Sequence, residues 1–318
     1  MLKAAPQPLP NAPRCNRLES SAVPTPKRHR SPENPRLVRC DAWVQLSWLI
    51  HGFSTRAGGV SEAYGGKALN LGYTKHDTHA AVDENRALLL RSLGPAGIEG
   101  KAWPLVRLRQ VHTDIIHRID RAPERLLTGD GLVTDAPRLL LAVQTADCLP
   151  VLLADTERKA VGAFHAGWRG TLARIVEKGV GAMRLHFGSQ PEHLRAAIGP
   201  GIASCCYAVG EELREQFHSQ FSYATNLFRE ATESDPVRER YPLLFMNARP
   251  PGHSDAGRTI YLDLREANRR QLLSAGLRPE NIIPLDFCTA CRADLFFSHR
   301  AEQGVTGRQM GVVGICDG

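Results

Sequence analysis

The chain has 318 residues, 23% charged and 42% hydrophobic, proportions of an ordinary globular protein with length for one or two domains. Its formal net charge of +7 is unevenly spread: residues 1–40 carry eight Lys/Arg against two Asp/Glu, net +6, and the remainder carries 32 against 31, net +1. A body so near neutrality argues against a dedicated nucleic-acid-binding face.

Taken in chain order, residues 1–36 hold most of the basic excess. Eight of the 21 prolines fall within the first 40 residues, with little apolar periodicity. This predicts a disordered basic, Pro-rich tail, read as a solvated extension, with contact to nucleic acid or an anionic surface as the alternative. It has no charged segment followed by an apolar one, so no secretory signal is expected. Folded structure is expected from near Trp43, with a strand over 48–55 stopped by Gly58-Gly59. A helix follows over 77–93, ended by Gly94-Pro95. Short strands are expected over 103–112 and 115–119, then a turn at Gly129-Asp130-Gly131 leading into Leu132-Val133-Thr134.

Apolar strands over 139–145 and 150–154 flank a break at Ala146-Asp147-Cys148, and another over 161–164 ends at His165. Residues 139–154 are the most apolar stretch, yet Gln144, Thr145, Asp147 and Pro150 interrupt it, so no membrane span is expected. Leu172, Ile175, Val176, Val180, Met183 and Phe187 form one helical stripe, capped by Thr171 and stopped by Gly188. A strand over 194–198 leads into Gly199-Pro200-Gly201, and 209–217 reads as helix. Over 219–258 the pattern weakens, suggesting an insertion or lid. A helix opening at Tyr261-Leu262-Asp263-Leu264 closes at Gly276, and strands over 282–287, 295–298 and 310–315 end the chain. Without a regular βαβ rhythm, the fold class expected is α+β, a single domain over 43–318 of mixed β-sheets flanked by helices.

Three residues sit where such strands meet turns: His112, Cys148 and His165. Two imidazoles and a thiolate are the ligand set of an open zinc site with three protein ligands. Their gaps of 36 and 17 residues match no local metal motif, so a hydrogen-bonded strand-end histidine and a small buried cysteine stay open as readings. Asp147 is placed to orient a ligand, and Gly167 permits a tight turn behind His165. Arg56 before Ala57-Gly58-Gly59, Arg169 after Trp168, and Arg300 after His299 are candidate phosphate-binding cations, each weighed against an ordinary surface arginine. The eight cysteines show no small-domain spacing and read as reduced thiols, which points to the cytoplasm. Cys205-Cys206 and the single pair Cys288-Thr289-Ala290-Cys291 read as structural or site-lining thiols rather than redox centres.

The ordered motifs extend this. His51-Gly52-Phe53-Ser54-Thr55-Arg56-Ala57-Gly58-Gly59, Asn70-Leu71-Gly72, Gln110-Val111-His112 and Asp130-Gly131-Leu132-Val133-Thr134 come first. Ala146-Asp147-Cys148-Leu149-Pro150, His165-Ala166-Gly167-Trp168-Arg169-Gly170, Ile198-Gly199-Pro200-Gly201 and Phe296-Phe297-Ser298-His299-Arg300 with Thr306-Gly307-Arg308 follow. From His51 onward the chain resembles the laccase-domain family, also called the peptidoglycan-editing-factor or purine nucleoside phosphorylase family. The basic tail lies outside the match, and 219–258 looks longer than the family needs.

The resemblance implies a zinc site at His112, Cys148 and His165, with copper as a less favoured metal. It implies phosphorolysis of adenosine, inosine, guanosine and 5′-methylthioadenosine, with adenosine deamination beside it. The expected catalytic residues are His112, Cys148 and His165. Arg56, Arg169 and Arg300 would hold phosphate and Asn70 would hydrogen-bond substrate, so purine nucleosides and phosphate are the expected partners. For deamination, the metal would lower the pKa of a bound water toward about 7. Three alternatives remain. One is a peptidoglycan-precursor editing hydrolase with Cys148 as nucleophile and no metal. The second is a copper polyphenol oxidase, weakened because only three convincing ligands appear. The third is a non-enzymatic protein binding a partner or nucleic acid through its tail.

Overall fold

The computed structural model describes residues 36–94, 102–232 and 258–316. Structure begins earlier than Trp43, because β1 (Leu37–Val38) pairs along the edge of β2 (Leu49–Ser54). The tail expected over 1–36 lies outside the described residues except for Arg36. β3 (Ala57–Ser61) corrects the reading of Gly58-Gly59 as a stop, since both glycines lie inside this strand. A Cβ on Gly59 would sit 2.2 Å from the Ala68 carbonyl oxygen, so glycine here allows a close backbone approach. Helix α1 (His79–Leu93) runs as expected, with Thr78 accepting from the Ala81 N–H and Gly94 in the left-handed region at φ 92°.

Then come β4 (Leu105–Val106), β5 (Leu108–Arg109), β6 (Ile116–Arg118), β7 (Leu127–Thr128) and β8 (Gly131–Thr134). The long apolar runs are β9 (Leu140–Thr145), β10 (Leu149–Asp155) and β11 (Val161–Ala166). All of β10 and β11 is buried, which explains why they read as continuous apolar runs rather than alternating ones. The single helix expected from Thr171 is two: α2 (Trp168–Leu172) and α3 (Ile175–Phe187), broken at Arg174 with φ 61°. Thr171 is no cap. It is buried within α2, where its hydroxyl accepts from Asn268 at 3.0 Å and its carbonyl from Gln271 at 2.7 Å.

β12 (Leu194–Ile198) precedes β13 (Ala208–Val209), α4 (Glu211–Gln220) and β14 (Phe228–Thr232). β15 (Arg258–Leu262) then pairs antiparallel with both β14 and β13. The flanks of the weakly patterned 219–258 segment are therefore regular strands, and its middle, 233–257, lies outside the described residues. Tyr261 and Leu262 finish β15, so α5 (Leu264–Ser274) starts later than expected, capped by Asp263 accepting from the Glu266 N–H at 2.9 Å. β16 (Ile282–Pro284) and β17 (Gln309–Ile315) complete the fold. The strand expected over 295–298 is a turn: Phe296 and Phe297 are apolar because they are fully buried anchors.

Two mixed sheets face each other. One has the order β1-β2-β17-β9-β4 and the other β16-β12-β10-β11-β8-β6. Phe53, Leu141, Val143 and Val313 from the first meet Leu132, Leu152, Ala163 and Ala197 from the second. Strand alternation sends Val151 and Leu153 of β10 the other way, onto the stripe Val176, Val180 and Met183 of α3. Each of these side chains contributes roughly 1.5–3 kcal/mol by leaving water. On the far side α1 places Leu89 and Leu93 against Leu140 and Val312. The result is a mixed-sheet single domain flanked by helices, the fold class expected. Among the described residues, no helix is long and apolar enough to cross a membrane.

Candidate metal centre

Antiparallel β10 and β11 are in register with Leu149 opposite Ala166 and Pro150 opposite His165. Cys148, one residue before β10, therefore comes out at the same end of the sheet as His165 near the end of β11. The turn between β5 and β6 delivers His112 to the same place. Sγ of Cys148 lies 4.0 Å from Nε2 of His112, the two imidazole centroids are 4.8 Å apart, and one ligand atom from each of the three lies within 4.8 Å of the others. The sequence spacings say nothing of this convergence. Sheet register supplies it.

Asp130, at the entrance to β8, holds the group in position. Its Oδ1 accepts from Nδ1 of His165 at 2.7 Å, while Oδ2 accepts from the backbone of Thr113 at 2.7 Å, its hydroxyl at 2.9 Å and the Val111 N–H at 3.2 Å. One carboxylate thus orients one candidate ligand directly and fixes the turn carrying another. Asp130 is fully buried, a placement costing several kcal/mol if uncompensated. Charge-assisted hydrogen bonds of roughly 1.5–3 kcal/mol each offset that cost. Burial would raise its pKa, but His165 and Thr113 hold it well below the usual carboxylate range.

The same competition operates at Cys148 and His165. Burial alone would push the Cys148 thiol up, yet His165 and His112 bring it down to about 6. Burial alone would lower His165, yet Cys148 and Asp130 raise it to about 9. The free site at neutral pH is a thiolate beside an imidazolium, ready to exchange one proton for a cation. His112 itself has φ 63° and Asp147 φ 88°, left-handed backbone that non-glycine residues adopt at a cost of about 1–2 kcal/mol. Gly167, with φ −78°, forms no unusual turn. What it lacks is a Cβ, which would lie 2.9 Å from Sγ of Cys148 and 3.1 Å from the His112 ring.

The trio forms one wall of a cavity of about 560 Å³, also lined by Gln110, Gln144, Trp168, Tyr207, His299, Arg300 and Arg308. Gln110 and Gln144 brace each other: the Gln110 amide donates to the Gln144 carbonyl at 2.8 Å and accepts from its N–H at 2.7 Å. Burial pushes the Tyr207 phenol up to about 12, helped by Cys148, so it remains a hydroxyl at neutral pH. Arg300 and Arg308 bond only backbone carbonyls, Ala208 for the first and Thr306 and Gly307 for the second, with no carboxylate partner among the described residues.

Several expected site residues lie elsewhere. Arg56 does not line the cavity: its guanidinium donates to the carbonyls of Ala293 at 2.6 Å and Tyr64 at 2.9 Å, pairs with Glu302 at 3.1 Å and covers the Phe297 ring. Asn70 is fully buried, its amide donating to the Gly72 carbonyl and Asp77 while accepting from the N–H groups of Gly72 and Arg308. It positions Arg308 rather than substrate. Arg169 stacks over Trp168 and faces a separate groove beside α4. Asp147 orients no ligand; it accepts from the Thr289 hydroxyl at 2.6 Å and the Arg300 N–H at 2.7 Å. Of the expected cations, the structure brings only Arg300 to the trio. Arg308, Tyr207 and Asp130 were missed as site residues. The signal for Asp130 was its carboxylate in a Gly-Asp-Gly turn opening an apolar strand.

A group of three candidate ligands on the wall of this cavity, with two guanidiniums that lack a carboxylate partner among the described residues, defines a candidate metal-dependent site for anionic or polar substrates. The chain belongs to the family described as multi-copper polyphenol oxidoreductase laccase, whose model matches residues 50–316. It is 40% identical over 267 residues to a purine nucleoside phosphorylase of Deinococcus radiodurans, covering 83% of this chain and 88% of that protein. It is 29% identical to the purine nucleoside phosphorylase YlmD of Bacillus subtilis, over 88% of this chain and 95% of that one. Among solved structures it is similar to the hypothetical protein YfiH of Bacillus licheniformis, with a TM-score of 0.71, 32% identity, and coverage of 90% of this chain and 98% of that one.

Proposed function

We propose that this protein is a zinc-dependent purine nucleoside phosphorylase acting on adenosine, inosine, guanosine and 5′-methylthioadenosine, with adenosine deaminase activity at the same site. The observation that carries the reading is the trio His112, Cys148 and His165 facing the cavity that Arg300 and Arg308 line. The names of the relatives supply the substrate class. Two imidazoles and a thiolate with an open position suit zinc. Oxidase chemistry with several coppers needs further histidines grouped by metal, and the other candidate group among the described residues is all cysteine. Zinc held by His112, Cys148 and His165 would supply Lewis-acid polarisation of a bound oxygen or nitrogen.

The rest of the chemistry falls to the chain's own groups. In phosphorolysis an oxygen of phosphate bonds to the anomeric carbon as the carbon–nitrogen bond to the purine breaks. The base leaves with the bonding electron pair and takes up a proton. Arg300 and Arg308 would hold the phosphate dianion beside the developing sugar cation, where preorganised charge is most effective. Trp168 and Tyr207 offer aromatic surface to the base, and the Tyr207 hydroxyl remains a hydrogen-bond donor. In deamination, water instead bonds to the amino-bearing purine carbon, the carbon–amino nitrogen bond breaks, and ammonia leaves with the proton that water gives up.

A second reading has one specific observation in its favour. Cys148, His165 and Asp130 form a thiolate–imidazole–carboxylate series, which suits a cysteine hydrolase needing no metal. Product analysis of adenosine turnover with and without phosphate separates the two, alongside metal analysis. Phosphate-dependent release of adenine with ribose 1-phosphate is the expected result. Full turnover by metal-free protein would sink the zinc reading and favour the hydrolase.

A further inference from the structure

Away from the cavity, four thiols from two distant segments meet. Cys205 and Cys206 lie in the helical turn after β12, where the N–H groups of Cys206 and Tyr207 both reach the Ala203 carbonyl. Cys288 and Cys291 lie in the turns after β16. Sγ of Cys291 is 3.4 Å from that of Cys205 and 3.3 Å from that of Cys206, and all four sulfurs lie within 4.8 Å of one another. The approach is fixed by backbone, not by chance rotamers. Gly201 and Cys288 form a β-bridge, the Thr289 N–H donates to the Gly201 carbonyl at 3.1 Å, and the Ala203 N–H points at Sγ of Cys288 at 3.4 Å.

Four thiolates arranged tetrahedrally about zinc, each at about 2.3 Å, stand roughly 3.8 Å apart. The two shortest separations, 3.3 and 3.4 Å, lie a little below that spacing, and all four sulfurs fall within 4.8 Å of one another. All four are free thiols. We propose that Cys205, Cys206, Cys288 and Cys291 bind a second zinc ion in a closed, structural site. Binding releases the thiol protons to solvent and involves no change of oxidation state. With four protein ligands the ion has no open position for substrate, so its role is to join two segments. The first carries Ile202 and Tyr207 to the cavity; the second continues to His299 and Arg300. Thr289, between the two downstream cysteines, donates to Asp147, the neighbour of Cys148. The second ion would fix the cavity's outer side without touching substrate.

The test uses full-length protein stripped by chelator under reducing conditions and titrated with zinc alone. A His112→Ala/Cys148→Ala variant, with the cavity site disabled, is expected to keep one zinc per chain with an all-sulfur shell by X-ray absorption. Adding Cys288→Ser and Cys291→Ser is expected to reduce that zinc from one to none. Wild-type protein holding both ions would average about 2.5 sulfurs per zinc, four from one site and one from the other. If the quadruple variant does not fold, the absorption data on the double variant and wild type decide. A double variant that binds no zinc, binds it with imidazole or oxygen in the shell, or carries a disulfide among these cysteines overturns the proposal. Loss of phosphorylase activity alone would bear on the cavity site, not on this one.

Discussion

The inner wall of the cavity and its rim solve the problem of placing a functional side chain in different ways. On the wall, Cys148 and His165 leave paired strands at a fixed register, and Asp130 ties His165 to the turn of His112 through four hydrogen bonds. On the rim, His299, Arg300 and Arg308 come from turns, and the two guanidiniums are steadied by backbone carbonyls and, for Arg300, by the Tyr207 ring, with no carboxylate partner among the described residues. The wall is preorganised at an energetic cost met by buried hydrogen bonds; the rim keeps its charge free for a ligand. A metal ligand must be held to a fraction of an ångström, whereas an anion can be met by a longer, adjustable arm.

The sharpest way to break this contrast is His112→Ala. Loss of the ion and of several kcal/mol of transition-state stabilisation should lower kcat/KM by about a thousandfold or more. Stoichiometric metal retained in the cavity would contradict its role as a ligand. The wall also predicts a pH dependence. Between pH about 6, where Cys148 ionises, and about 9, where His165 does, one proton must leave His165 for each metal bound. Metal affinity should therefore rise with pH by about tenfold per unit across that window and level off above it. A flat profile, measured by competition with a chelator of known pH response, would mean that His165 is not a ligand. Asp130→Asn should weaken metal binding by roughly 10–100-fold. Unchanged affinity would show that the wall holds without its buried carboxylate.

Rim substitutions should behave differently. Arg300→Ala and Arg308→Ala should each raise the KM for phosphate by about tenfold or more while leaving metal content intact. A matching rise in the KM for nucleoside alone would move these arginines off the phosphate. Arg169→Ala, on the neighbouring groove, should change kcat/KM by no more than about twofold.

The same contrast explains what could be read from the sequence. Strands buried on both faces announce themselves as apolar runs, so β9, β10 and β11 and the residues at their ends were legible, including Cys148 and His165. Helix α1 carried its own stop in Gly94, while its Thr78 cap went unread. An arginine carries no such mark. Arg56 beside two glycines resembles a phosphate cradle until Glu302, 246 positions further on, is seen to occupy it. Asn70 serves Arg308 across 238 positions, a stretch almost as long. The four thiols were visible as two pairs, but it takes the Gly201–Cys288 bridge and the hydrogen bonds beside it to bring them together. Phe296-Phe297 shows the opposite error, in which full burial in a turn imitates a strand.

His112 has a consequence that extends to folding. Its φ of 63° is a conformation that glycine accepts freely and histidine does not. His112→Gly should make the metal-free protein more stable to heat by on the order of 1 kcal/mol while ending its capacity to hold the ion. His112→Gly therefore separates fold from chemistry: the expected protein is sturdier and holds no ion in its cavity.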